Sequence, residues 1–312
     1  MVSINIEKGL DLERVSEVHT DKFRAIQTPF TWDAGGVIPG GLLMALCTTA
    51  AYETVSSDFS IASLQTHFLL GPRNNVRIDL QVQRLSDGGR FATRLVSLLQ
   101  NNRIMVHVTC SFVRTSAMGG PSMAHSASRA TNYRLDAITL DDLDYGRTEL
   151  GPYMKYQRFP LVYAGREQPE PVNPRPEDLV HPCAAIVSPA IRSDDRRLHL
   201  LGIILLSDYH VLDCPPTIHG LTFGPAAVND TTRTRTPQQF NMLTSLNHSI
   251  LFHVHEGFRA DEMCYVEATS PWSGNRRGEI LSRIFSKDGR LIATCKQEGY
   301  YVLKGDKKDG KL

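Results

Sequence analysis

The stretch Lys287-Asp288-Gly289-Arg290-Leu291-Ile292-Ala293-Thr294-Cys295-Lys296-Gln297-Glu298-Gly299 reads as a tight turn running into a strand, and the first half of the chain carries its counterpart. Lys287-Asp288-Gly289 supplies the turn residues. Leu291 to Leu303 is then rich in the β-branched and aromatic side chains that suit a strand. In the first half Asn101-Asn102 supplies the turn, and a strand-like run continues from Ile104 to Val113. Asn102-Arg103-Ile104 aligns with Gly289-Arg290-Leu291, a match that points to internal duplication. Seven residues beyond the aligned arginines the copies part: Gln297 follows Arg290, whereas Cys110 follows Arg103.

Working outward, each half has the same order of elements. Gly40 to Tyr52 is apolar nearly all round and reads as a buried helix. Strand-like runs follow at Ile61 to Leu70, Val76 to Leu85, Arg90 to Leu99 and Ile104 to Val113, separated by turns such as Arg73-Asn74-Asn75 and Asp87-Gly88-Gly89. In the second half a helical run from Leu198 to Val211 precedes strands near Ser245 to His255, Met263 to Thr269, Gly278 to Phe285 and Leu291 to Leu303. Residues 115–195 between them hold nine of the seventeen prolines and read as a long linker laid over one half, with no regular core element. A long helix followed by an antiparallel sheet, made twice, is an α+β architecture with each sheet wrapped around its helix. This is the double hotdog. The halves are expected to join edge to edge into one continuous sheet, because either alone leaves an open sheet edge. The expected domains are 1–114, an N-terminal hotdog; 115–195, the linker; 196–304, a C-terminal hotdog; and 305–312, a basic tail.

Composition narrows the function classes. The chain has 312 residues, 41% hydrophobic and 21% charged, with a net charge of +1, so no nucleic-acid surface is expected. The six cysteines are scattered without a C-x-x-C pair and read as small buried hydrophobes. No stretch reaches the apolar length that spans a bilayer, and Met1 to Lys22 lacks an apolar signal core. The expectation is a soluble intracellular protein. The closing Gly310-Lys311-Leu312 is a weak relative of the peroxisomal Ser-Lys-Leu address, or else part of a solvated basic tail.

Four segments resemble the acyl-CoA thioesterase II family, which includes peroxisomal and bacterial enzymes. Leu205-Leu206-Ser207-Asp208 is similar to the family's helix-end step, and Thr244-Ser245-Leu246-Asn247-His248-Ser249-Ile250-Leu251-Phe252-His253 to its Ser/Thr-hydrophobic-Asp-His-Ser strand. Arg277-Gly278-Glu279 falls at its Arg-Gly step, and Lys287 to Gly299 resembles its Asp-Gly-x-Leu-x-Ala … Gln-Glu-Gly ending. The resemblance covers residues 198–303 well and 25–114 weakly. It implies hydrolysis of acyl-CoA to free acid and CoA, with acyl-CoA as the partner and no cofactor or metal. It carries the family's catalytic Asp, Ser/Thr and Gln onto Asp208, Ser245 and Gln297. A buried carboxylate can deprotonate the attacking water, while a hydroxyl and an amide hold that water in line. Main-chain N–H groups at a helix N-terminus would serve the oxyanion. With Cys110 in place of the amide, the first half is expected to contribute walls and no second site.

Other readings stand beside this one. A hotdog dehydratase or hydratase would use His67 or His248, and a non-catalytic acyl-CoA-binding protein would explain Asn247, which stands where the family has Asp beside the site. The glycine motif Gly35 to Gly41 and the polar insertion from Asn229 to Gln239 also depart from the family. Strict alternation puts Ser245, Asn247, Ser249, His253 and His255 on one strand face, and His248 with Leu246, Ile250 and Phe252 on the other. His248, His253 and His255 then do not make a metal set. Glycine at 40 and 41 opens the buried helix and permits a close approach. Association with a second copy through sheet edges is left open.

Overall fold

The computed structural model describes residues 5–15, 21–31, 36, 38–130, 153–165, 169–208, 211–221 and 239–305. Residues 306–312 of the basic tail, Gly35 and Val37 of the glycine motif, and most of the 229–239 insertion lie outside them.

In chain order the elements are α1 (Ile6–Gly9), β1 (Leu12–Arg14), β2 (Asp21–Ala25), α2 (Gly40–Tyr52), β3 (Phe59–Phe68), β4 (Asp79–Asp87), β5 (Phe91–Gln100) and β6 (Arg103–Arg114). There follow β7 (Met154–Arg158), β8 (Val162–Tyr163), β9 (Leu179–Val187), α3 (Arg196–Leu206), α4 (Cys214–Ile218), β10 (Phe240–Phe252), β11 (Cys264–Gly274), β12 (Arg277–Phe285) and β13 (Leu291–Leu303). The strands form one antiparallel sheet in the order β1-β2-β4-β5-β6-β3-β10-β13-β12-β11-β9-β7, with β8 beside β9. The halves meet where β3 pairs with β10, so each covers the other's open edge. The last strand starts and stops where the sequence placed it. The helix expected over Leu198 to Val211 instead runs from Arg196 to Leu206, opened by Asp195, whose side chain accepts from Arg197 N–H at 2.9 Å.

Helix α2 is buried along its whole length apart from Gly40 and Thr49. One hydrophobic core joins it to α3 and to both halves of the sheet. The two helices run antiparallel. Gly41 at the start of α2 bonds Asp208 just past the end of α3, while Arg197 at the start of α3 lies 4.5 Å from the Tyr52 ring at the end of α2. This crossing brings the N-terminus of a first-half helix to the second half's catalytic candidates.

The proline-rich span is the main departure from the sequence reading. It supplies three strands, and β9 is buried along nearly its whole length, between β11 and the pair β7 and β8. Proline is tolerated in this inner strand because Pro182 falls opposite a break. Strand β7 ends at Arg158 and β8 begins at Val162, and the Pro182 carbonyl accepts from Phe159 N–H at 3.0 Å on that side. The missing proline N–H therefore faces the gap. Part of the span also lies over the sheet: Ala130 N–H donates to Glu267 at 2.6 Å, and Arg129 sits 5.2 Å from the Tyr265 ring.

Candidate active site

Asp208 follows immediately on Ser207, the residue that closes α3, and its N–H donates to the Leu205 carbonyl at 3.3 Å. The residue is 6% exposed. Gly41 N–H donates to Asp208 Oδ2 at 2.7 Å. Gln297, on β13, donates from Nε2 to Asp208 Oδ1 at 2.7 Å and to Ser245 Oγ at 2.7 Å. The three candidates read from the sequence thus converge on one corner, with Gln297 as the hinge between the other two. Ser245 is half-buried and is the most open of the three.

Ser245 reaches this corner because β10 is bulged. Ser245 pairs with Gly299 and Asn247 with Glu298, so Leu246 is the extra residue and alternation slips by one. Beyond the bulge His248 pairs with Gln297. Ser245 therefore shares a face with His248, not with Asn247 and Ser249. The strand also ends at Phe252, so His253 and His255 are not on it. His253 Nε2 lies 3.1 Å from Thr294 Oγ1. Asn247 points away from the corner and donates to Glu298 at 2.9 Å, and Glu298 in turn pairs with Arg277 at 2.9 Å. The charge that Asn247 lacks is consequently not beside Asp208.

Two glycines of the family-like motifs shape the floor. Gly278 and Gly299 pair across β12 and β13. A Cβ on Gly278 would lie 2.9 Å from Pro215 Cγ, and one on Gly299 would lie 2.7 Å from Leu212 Cδ1. The bare backbone lets residues 211–218 pack onto the sheet, where Tyr301 Oη donates to the Leu212 carbonyl at 2.8 Å. Gly40 serves the same purpose on the other wall. A Cβ there would stand 2.8 Å from Phe68 Cζ and 3.0 Å from Asp208 Oδ2.

The electrostatics favour a carboxylate poised to take a proton. Burial pushes Asp208 above its ordinary value, opposed by the Gly41 N–H and then by the bonds from Gln297 and Ser245. The first-turn amides of α2 have no acceptor within the helix and present positive potential at the corner. The preceding residue, Pro39, offers no side-chain cap, and it is Asp208 that takes the Gly41 amide of that turn. His248 is fully buried, its Nε2 3.2 Å from Ser207 Oγ and its Nδ1 3.9 Å from Asp208 Oδ1. Burial lowers it to about 3, so it is neutral. His67 lies on the opposite, exposed face of β3.

The sequence reading missed Gly41 as a partner of the carboxylate. Its only trace was the glycine pair at the helix start, which signals a close approach without saying what approaches. His248 was read as belonging to the opposite face, and nothing in the sequence announces the bulge at Leu246.

Comparison with known proteins bears directly on this site. The acyl-CoA thioesterase C-terminal domain family matches residues 151–301, and the acyl-CoA thioesterase N-terminal domain family matches residues 28–113. The chain belongs to the acyl-CoA thioesterase family. The C-terminal match begins before β7, so the family unit includes the strands from the proline-rich span. Acyl-coenzyme A thioesterase 8 of Homo sapiens is 28% identical over 99% of this chain and 92% of that protein. The peroxisomal acyl-coenzyme A thioester hydrolase 1 of Saccharomyces cerevisiae is 22% identical over 86% of this chain and 87% of that protein. Among solved structures, an acyl-CoA thioesterase II from Mycobacterium marinum superposes with a TM-score of 0.69 at 21% identity, covering 97% of this chain and 99% of that one. A hot dog fold protein from Alicyclobacillus acidocaldarius gives 0.67 at 10% identity, covering 98% of each chain. These two likenesses establish the double-hotdog fold.

Proposed function

We propose that this thioester hydrolase cleaves acyl-CoA to free acid and CoA with Asp208 as general base and Ser245 and Gln297 holding the attacking water. The observation that supports this reading is the single buried corner in which Gln297 bonds both Asp208 and Ser245. In the forward step the water oxygen attacks the thioester carbonyl while Asp208 takes its proton. The tetrahedral oxyanion forms within reach of the first-turn amides of α2 beside Gly41, whose own N–H is taken by Asp208. Collapse breaks the C–S bond, and the proton held by Asp208 returns to the departing CoA thiolate. No acyl-enzyme is needed. The raised Asp208 value suits a base, since a stronger carboxylate base takes the proton more readily near neutrality.

The test is thiol release from a series of acyl-CoA chain lengths by wild type and by Asp208→Asn. Release by wild type and its near-complete loss in a folded Asp208→Asn protein support the assignment, whereas near-normal turnover by the variant rejects it. No helix among the described residues is long and apolar enough to cross a membrane. A peroxisomal location is the finer reading, drawn from the name of the yeast relative. Gly310-Lys311-Leu312 lies outside the described residues. A fluorescent fusion that preserves the C-terminus should co-localise with a peroxisomal marker, and a diffuse signal would reject that location.

A further inference from the structure

Behind Asp208 and Gln297 lies a buried polar layer to which the mechanism above assigns no role. It consists of His248 and Ser207, both 0% exposed. His248 Nδ1 and Gln297 Oε1 are buried atoms without a hydrogen-bond partner within normal distance. They belong to residues paired directly across β10 and β13, with side chains on the same face. One is a ring nitrogen that donates or accepts according to tautomer, and the other is a carbonyl oxygen that only accepts.

Counting protons decides between the tautomers. Both hydrogens of Gln297 Nε2 are committed, one to Asp208 Oδ1 and one to Ser245 Oγ. The reversed amide would set Oε1 against the Asp208 carboxylate, so Oε1 must face the other way. Ser207 Oγ lies 3.2 Å from His248 Nε2 and 2.8 Å from the Ile204 carbonyl, with a single proton to give. If His248 carried its proton on Nε2, Ser207 would accept it and donate to Ile204. That would leave two buried acceptors, Nδ1 and Gln297 Oε1, beside each other and beside the carboxylate. If the proton sits on Nδ1, Ser207 donates to Nε2, and Nδ1–H serves Gln297 Oε1 after a small side-chain adjustment. Only the Ile204 carbonyl then loses a donor. The second arrangement leaves fewer buried acceptors unpaired, and it keeps a lone pair from facing Asp208 3.9 Å away.

We infer that His248 is a positioning residue held as the neutral Nδ1–H tautomer, which locks the Gln297 amide so that its NH2 group faces Asp208 and Ser245. Every donor in the layer then points the same way: Ser207 to His248, His248 to Gln297, and Gln297 to Asp208 and Ser245. The Ser245 hydroxyl, having accepted from Gln297, keeps its own proton for Asp208 or for the water. The inference rests on the proposed roles of Asp208, Ser245 and Gln297, but its first test does not.

That test is 15N-resolved NMR of the imidazole in the wild-type full chain. It should show a proton on Nδ1, a bare Nε2, and no titration down to pH 5 or so, consistent with a value of about 3. An Nε2–H signal, or titration near the ordinary 6.5, overturns the tautomer whether or not the chain hydrolyses acyl-CoA. The second test separates positioning from packing. An asparagine amide nitrogen can replace Nδ1, and a glutamine amide nitrogen reaches only the Nε2 position. His248→Asn should keep kcat within about tenfold of wild type, while His248→Gln and His248→Leu lose roughly a hundredfold in kcat at nearly unchanged KM. Equal losses in all three, with folding verified by circular dichroism, would overturn the positioning role. Absence of thiol release in wild type would instead remove the thioesterase reading and leave the NMR result standing.

Discussion

The two halves of this chain share a strand order and differ in chemistry, and one corner shows the difference most plainly. In the second half β10 bulges between Ser245 and Asn247, and Gln297 pairs with His248. In the first half β3 bulges between Ile61 and Ser63, and Cys110 pairs with Leu64. Placing Cys110 on Gln297 therefore puts Ile61 on Ser245 and Leu64 on His248. Thr48, from within α2, stands near Cys110, its Oγ1 3.9 Å from Sγ. Ile61, Leu64, Cys110 and Thr48 are all 0% exposed. The first corner is packed core and the second is a hydrogen-bonded polar cluster, on the same bulged scaffold. Duplication thus supplied the geometry twice, and side-chain identity made one copy apolar and the other polar.

Breaking the second corner should have the largest effect. Asp208→Asn removes the base and is expected to lower kcat by about a thousandfold in a thiol-release assay. The same variant carries a stability signature. Because the folded-state value of Asp208 is raised above 3.8, the folded protein holds that proton more tightly than the unfolded chain. Its contribution is full below 3.8 and is lost as pH rises through the raised value. Denaturation across that window should therefore show wild type losing stability relative to Asp208→Asn as pH increases. A constant difference would mean that Asp208 is not perturbed. Wild-type kcat/KM should also fall on the acid side at a pH above the ordinary carboxylate range.

Giving the second corner the first corner's residue comes next. Gln297→Cys keeps a buried side chain but releases both Asp208 and Ser245, and kcat should drop by about a hundredfold. Smaller again is Gly40→Ala, whose Cβ would press on Asp208 Oδ2 at 3.0 Å and on Phe68. A loss of about tenfold in kcat is expected there, and unchanged kinetics would show that the α2 start tolerates movement. The reverse experiment, Ile61→Ser in the first corner, should leave turnover per folded molecule unaltered. It should nevertheless cost about 3 kcal/mol in chemical denaturation, since it empties a packed site and buries a hydroxyl. The smallest effect belongs to Asn247→Asp. This side chain lies on the outer face beside Glu298, so activity should stay within about twofold, with at most about 1 kcal/mol lost to like-charge repulsion. A large kinetic effect at Asn247 would contradict the face assignment made by the bulge.

Much of this was legible in the residues. The turn-plus-strand repeat at Asn102 and Gly289 revealed the duplication, the apolar run from Gly40 announced a buried helix, and Gln297 against Cys110 announced the asymmetry. What escaped were features without a local signature. Leu246 is an ordinary strand residue, so the extra count in β10 appears only when its pairing with β13 is known. Pro182 looked like a strand breaker, and its tolerance depends on where β7 stops and β8 starts on the neighbouring side.

The sequence by itself determined two helix-and-sheet units, the limits of the closing strand and the presence of Gln297 where the first half has Cys110. Periodicity and turn chemistry act over a few residues, and those features are encoded at that range. The tertiary structure alone decided that Ser245 and His248 face the same side, that β9 belongs to the sheet, and that Gly41 from the first half holds Asp208 from the second. Each of these depends on register between strands or on the crossing of two helices distant in the chain, and such relations are set by packing.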